Sequence, residues 1–169
     1  MRMTSTKFNS LHDLFVQELK DLYDVEHQII EALPKMIQAA SAPEVKKNFE
    51  DHLNMTKEQA NRLEEIFDML DLNPEREHCD GIAGIIKDGE KIISADAPPD
   101  VKDAGLIAAA QKVEHYEISG YGTARTFART MGHDDIAELL QKTLDQESHT
   151  DETLSEVAER GINIQAAGG

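Results

Sequence analysis

Cysteine, tryptophan, proline and cationic residues are all scarce in this 169-residue sequence, and each scarcity excludes something. There is one cysteine, no tryptophan, five prolines and only 5% aromatic residues. Cys79 cannot form an intramolecular disulfide or supply a Cys-rich zinc site, and no Cys-x-x-Cys surrounds it. It reads as an incidental thiol, and the expected location is the cytoplasm. Lys and Arg number 17 against 33 Asp and Glu, a net charge of −16. That charge divides evenly about Gly84, so it is not an acidic tail on a neutral body. A field of this sign repels phosphate backbones and anionic lipid, and no cationic run interrupts it, so neither nucleic acid nor a membrane surface is an expected partner. Long apolar runs are missing too. The stretch Leu106 to Ala110 is far too short to span a bilayer, and Met1 to Lys7 has no signal core. No Gly-rich phosphate loop, Ser-His-Asp order or Cys-His pair is present. Gly81 to Gly84 lacks the strand and lysine of a phosphate loop.

Leu, Ile and Ala dominate a hydrophobic fraction of 40%, as helices require. The length suits one domain with a real core, residues 1–169. Four long segments carry helical periodicity. The first runs from about Ser10, where Ser10 and Asp13 resemble a capping box, to about Ala40, with an inward stripe of Phe15, Leu19, Leu22, Glu26, Ile29 or Ile30, Leu33 and Ile37. Pro34 should bend its last turns. The second begins at Pro43 and ends near Asp71, with Val45, Phe49, His52 or Leu53, Thr56, Ala60, Leu63, Phe67 and Leu70 inward. Residues 72–99 form a long connection with one weaker amphipathic piece at about 82–93, which predicts a crossover along the bundle containing a short extra helix. The third helix is predicted from Asp100 as cap to Met131-Gly132, with Ile107, Ala110, Glu114, Glu117, Tyr121, Ala124 and Ala128 inward. The fourth runs from about Asp134 to Glu159, with Leu140, Leu144, Glu147, Asp151, Leu154 and Ala158 inward. The tail at 161–169 is expected to fray.

A shift of 91 residues superposes the two helix pairs, carrying Leu22 onto Val113, Glu26 onto Glu117, Val45 onto Ile136, Phe49 onto Leu140 and Leu63 onto Leu154. One constant offset aligns both helices of each pair and their loop. This reads as an internal duplication and predicts an all-α four-helix bundle.

The acids Glu26, Glu114, Glu117, Glu147 and Asp151 fall on stripes that should face inward, near the middle of their helices. No Lys or Arg is expected at their level. Mid-helix residues of a bundle meet in one layer, so five carboxylates should converge there. Left uncompensated they would cost as much as a domain's whole stability, so they must be protonated, hydrated or bound to cations. Two divalent ions would nearly balance them, and carboxylate with a little imidazole favours Fe or Mn over Zn. A water-filled or proton-sharing polar core is the other reading. His52 lies close enough to be a ligand or its supporting donor. His115 and His149 stand between paired acids and should point away. Tyr121 and Tyr23 could hydrogen-bond a carboxylate.

The segment Asp103 to Ile118 followed by Tyr121-Gly122-Thr123 resembles the bacterial YciE/YciF group, as do Asp24-Val25-Glu26, His52-Leu53 with Thr56 and Gln59, and Glu147 with Asp151. The resemblance spans nearly the whole chain. It implies a ferritin-like four-helix fold, a homodimer and a link to stress responses. In the wider superfamily two helices each give a Glu and two each give Glu-x-x-His to a di-iron centre. Glu26, Glu117 and Glu147 match that pattern, whereas Thr56-x-x-Gln59 and Glu147-x-x-Thr150 stand where the Glu-x-x-His motifs would be, so one side of any dinuclear site is short of anions. Two functions follow: a stress-associated iron or manganese protein holding one or two ions, able to use peroxide or oxygen, or a structural stress protein with a vestigial site. Storage in a cage has nothing to support it.

Overall fold

Ser10 sets where the first helix begins. Its Oγ accepts from the Asp13 amide at 3.1 Å, and the Asp13 carboxylate accepts from the Asn9 amide at 2.8 Å, so first-turn donors are partnered as in a capping box. In the computed structural model, which describes residues 6–168, this helix is α1, Leu11–Ala39. Residues 1–5, read above as lacking a signal core, and Gly169, at the end of the expected frayed tail, lie outside the described residues. Along α1 the buried positions step by 4, 3, 4, 3: Phe15, Leu19, Leu22, Glu26, Ile29, Leu33, Met36 and Ala40. Met36 therefore takes the inward place expected of Ile37, because two successive steps of four drift off a 3.6-residue period.

α2, Pro43–Met69, follows a three-residue turn. No residue of its own caps it. Instead Asp103, 1% exposed, accepts from the Ser41 and Ala42 amides at 2.8 and 2.7 Å. At its other end Asp71 adopts a left-handed φ of 56°. The Leu72 amide bonds Phe67 O at 2.9 Å and the Asp71 amide bonds Asp68 O at 3.0 Å, a Schellman closure.

The connection contains α3, Asp80–Ser94, and leads to α4, Pro99–Thr130, and α5, Asp134–Val157. α4 starts at Pro99 rather than being capped by Asp100, since a first-turn proline has no amide to satisfy and Asp100 instead accepts from the Val101 amide at 3.0 Å. It ends in a second Schellman closure through Gly132 at φ 80°. Beyond α5 the expected fray is replaced by a π-helical turn, Ala158–Ile162, and α6, Asn163–Ala166. Leu154, Ala158 and Ile162 continue one buried stripe, and that apolar contact holds the tail.

Cross-helix bonds set the directions. Asp103 reaches the end of α1 while Tyr121 reaches Glu26, so α4 runs opposite to α1. Arg62 with Thr143 and Met55 with Thr150 set α2 against α5 in the same way. α3 lies along α1: Lys20 pairs with Glu75 at 2.6 Å, Asp24 with Arg76 at 2.9 Å and Lys35 with Glu90 at 2.8 Å, so the connection returns the chain the length of the bundle. The shift of 91 carries the end of α1 onto the end of α4 and the start of α2 onto the start of α5, as a duplication requires.

The apolar core is in two parts. One holds Val25, Ile29, Val45, Phe49, Leu106, Val113 and Leu154, the other Phe15, Leu19, Leu63, Phe67, Ala124 and Leu140. Between them every core helix contributes polar residues. Among the described residues no helix is long and apolar enough to cross a membrane.

Asp103 satisfies two amides with one buried carboxylate, so Asp103→Ala is expected to cost about 2 to 3 kcal/mol, lowering Tm by roughly 5 to 10 °C. Asp103→Asn, which keeps one acceptor, should lose less. Thermal melts of the three proteins check the order.

Candidate metal centre

The layer between the two cores is built by four helices. α1 supplies Glu26, α2 supplies His52, Thr56 and Gln59, α4 supplies Glu114 and Glu117, and α5 supplies Thr143 and Glu147; all are 3% exposed or less. Glu114 and Glu117 share a face because three residues is nearly one turn. His52, Glu114, Glu117 and Glu147 can each place a ligand atom within 4.8 Å of the others. His52 Nδ1 stands 3.2 Å from Glu114 Oε1 without hydrogen-bond geometry, and both ring nitrogens lack a partner. So do both oxygens of Glu114 and of Glu117 and one oxygen each of Glu26 and Glu147.

The remaining oxygens are held. Tyr121 donates its hydroxyl to Glu26, and the Gln59 amide donates to Glu147. Arg62, 9% exposed, donates to Thr143 Oγ1 at 2.5 Å and Gln146 Oε1 at 3.0 Å. This corrects the expectation that no cation shares the level of the acids. Arg62 lies one residue before the buried Leu63, at the edge of the α2 stripe, where a long side chain can bury its stem and turn its charge toward Glu26 and Glu147.

Burial dominates the electrostatics. It pushes the carboxyls of Glu26, Glu114 and Glu117 well above their ordinary value near 4.5, with the Glu147 charge adding to each; Glu147 is raised for the same first reason. Burial also pushes His52 down to about 4, which leaves a neutral imidazole with a free lone pair. Convergent buried oxygens and one neutral imidazole form a group that could hold a metal ion.

Asp151 stands apart from this group. It is one fifth exposed, accepts from Gln111 Nε2 at 3.1 Å and faces His115 Nε2 at 3.2 Å. On α5 the inward step after Leu140 is Thr143 rather than Leu144, which turns position 151 to the flank. His115, 69% exposed, and His149 point away, as their places between acids imply. Tyr121 meets a carboxylate of the layer, whereas Tyr23 donates to Glu64 on α2 at 2.7 Å.

Asp24 is buried but outside the cluster. Burial would raise its carboxyl, yet bonds from the Cys79 amide, Gln28 and Arg76 hold it below the ordinary value. Residues 22–26 are buried without a break because α1 is covered by the core on one side and the crossover on the other. A single inward stripe could not reveal Asp24. The three consecutive residues Asp24-Val25-Glu26 in the resemblance are the signal that was available.

The family described as a domain of unknown function, DUF892, matches residues 10–167. The chain belongs to this family. Among DUF892 relatives, Protein YciF of Escherichia coli (strain K12) is 37% identical over 158 residues, which span 93% of this chain and 95% of that protein. The crystal structure of the E. coli stress protein YciF superposes with a TM-score of 0.89 at 36% identity, covering 92% of this chain and 99% of that one. YcfI from Rhodopseudomonas palustris, described provisionally as a structural protein, superposes at 0.87 with 37% identity, covering 90% and 98%. The YciF resemblance carried by the α4 segment therefore extends through the whole bundle.

Because Glu117 is raised when folded, the stability it contributes is present below about pH 4.5 and is lost as pH rises toward its folded value. In chelated protein, Glu117→Gln should melt close to wild type near pH 4.5. It should gain roughly 3 to 6 °C per pH unit above that until the folded value is passed. A difference that does not change between pH 4.5 and 8 would show that this carboxyl is not raised.

Proposed function

We propose that this protein is a ferritin-like non-haem metal protein of stress defence, holding iron or manganese on His52, Glu114, Glu117 and Glu147 with Glu26 beside them. The observation that carries this reading is the set of buried, unpartnered donor atoms converging from four helices. Desolvated oxygens without partners cost at least about 1 to 3 kcal/mol each, and a cation removes that cost at every one. Four ionised carboxylates and the Arg62 guanidinium leave three negative charges. One divalent ion reduces this to one, and two turn it to a single positive charge, so the layer accommodates one or two ions.

Bound iron or manganese would supply Lewis acidity and a redox couple for peroxide or oxygen. The chain's own residues orient the donors. Tyr121 holds one oxygen of Glu26 and Gln59 one of Glu147, leaving the other oxygen of each free, while Arg62 stabilises the ionised forms from the α2–α5 side. Stress association enters through the E. coli relative, which carries that description. Pairing of two copies belongs to the same proposal, and sedimentation would check it.

A specific observation favours a second reading. Thr56, Gln59 and Arg62 occupy the α2 side where further acids would complete a symmetric dinuclear centre, which suits a structural bundle with a vestigial site. Reconstitution with Fe(II) or Mn(II) followed by elemental analysis separates the two. The metal reading expects one or two ions per chain and a rise in Tm of roughly 5 to 10 °C at a hundredfold excess over Kd. Glu117→Gln or Glu147→Gln should abolish that rise. Protein that remains empty after reconstitution would sink the metal reading in favour of the structural one.

A further inference from the structure

An apolar cavity of about 30 Å³ lies between α1, α3 and α4 and ends at the His52 ring. Ile29 and Met36 wall it from α1, Ile86 and Ile93 from α3, and Ala110 and Val113 from α4. His52 is the only member of the polar layer that it reaches, through a side chain 3% exposed whose ring nitrogens have no hydrogen-bond partner. On its outer side Ala32, Lys35, Ile86 and Glu90 also line an open groove of about 180 Å³ between α1 and α3. The Lys35–Glu90 ion pair, 2.8 Å long and about half exposed, lies at that mouth. Groove and cavity thus adjoin across these four residues, with His52 at the cavity's inner end.

The volume would admit water, but a stable water needs two to four polar partners, and the walls offer little beyond the His52 ring. Hydrogen peroxide meets a similar obstacle, since beyond the His52 ring and the Lys35–Glu90 pair at the mouth the walls are aliphatic and leave most of its four hydrogen-bonding sites unmatched. A four-helix bundle needs no α3, and here α3 supplies the outer wall. Gly89 leaves room there: a Cβ at that position would meet Ala109 Cβ at an ordinary 3.6 Å, so glycine is not required by a clash.

We propose that this cavity admits and holds an uncharged apolar molecule of dioxygen's size and delivers it to the His52 edge of the layer. Its destination rests on the metal reading above; the cavity itself does not. Dioxygen rather than peroxide is then the oxidant that the centre meets by this route.

Xenon is the probe. In metal-free wild-type protein, xenon should produce saturable NMR shifts of the Ile29, Ile86 and Val113 methyls and of the His52 ring protons, with Leu19 and Leu63 unmoved. Gly89→Val, which fills the cavity from α3, should reduce those shifts about fivefold or more, and Ala32→Leu, which fills the mouth from α1, serves the same purpose if the first variant folds poorly. In protein shown to hold manganese, bound xenon should relax faster than in the zinc-loaded form. The proposal is overturned if wild type shows no saturable shift, if both filled variants respond like wild type, or if xenon relaxation is unchanged at one manganese per chain. Protein that takes up no manganese would sink the metal reading alone, and the His52 ring shifts in metal-free protein would still decide whether the cavity delivers its guest to that residue.

Discussion

The rest of the structure is arranged around one constraint, a layer of ionisable groups across the middle of a helical bundle. Glu26, Glu114, Glu117 and Glu147 are fully buried, and their desolvation works against folding wherever they are charged. The bundle accommodates them by placing a complete apolar core on each side. Each core helix passes through both clusters; α2, α4 and α5 contribute the polar residues of the layer where they cross between them, and on α1 Glu26 follows Val25 just past the crossing. On α4 the first cluster ends at Val113 and the second begins at Tyr121. On α2 the gap lies between Phe49 and Leu63, and on α5 between Leu140 and Leu154. The polar layer is therefore at one height, and the helices are anchored above and below it.

The buried acids outside the layer differ from those of the cluster in how they are partnered. Asp24 and Asp103 are as deeply buried, at 3% and 1% exposure, yet both are saturated by donors. Asp24 fastens the crossover to α1 through the Cys79 amide and Arg76, and Asp103 caps α2 from the start of α4. Where this chain uses a buried acid structurally, it partners the acid with backbone amides. Glu114 and Glu117 have no partner for any of their four oxygens. That contrast lies within one molecule, and it is the unpartnered oxygens that call for an explanation.

Much of this was legible in the sequence because amphipathic helices at a constant register carry their own burial pattern. Glu26, Glu114, Glu117 and Glu147 interrupt apolar stripes, and an acid at a stripe position is visible without coordinates. Periodicity also left His52 or Leu53, and Ile29 or Ile30, undecided, and the structure selects His52 and Ile29. What a stripe cannot show is an edge. Arg62 reaches the layer from a position beside the stripe, and Asp151 leaves it although its spacing from Glu147 is a helical four. The difference in each case lies in side-chain length and in a rotation of less than one residue. The tail was misjudged for another reason: Gly161 suggested an end, but Ala158 and Ile162 extend the stripe and a π-turn absorbs the glycine.

The 91-residue correspondence between the two helix pairs brings out how lopsided the layer is. Under the shift of 91 residues, Glu26 corresponds to Glu117, Tyr23 to Glu114, His52 to Thr143 and Thr56 to Glu147, and each of these pairs is buried in both halves. The positions are thus symmetric while the chemistry is not. Three of the four carboxylates come from the second half. The first half contributes Glu26, the neutral His52, the Gln59 amide that holds Glu147 and the Arg62 cation. Four acids drawn equally from two identical halves would need a full complement of metal charge to be tolerated. A guanidinium and an amide in place of two of those acids lower that requirement. The polar substitutions on α2 that weaken the case for a symmetric dinuclear centre also, by the same electrostatics, reduce the negative charge that the buried layer has to carry.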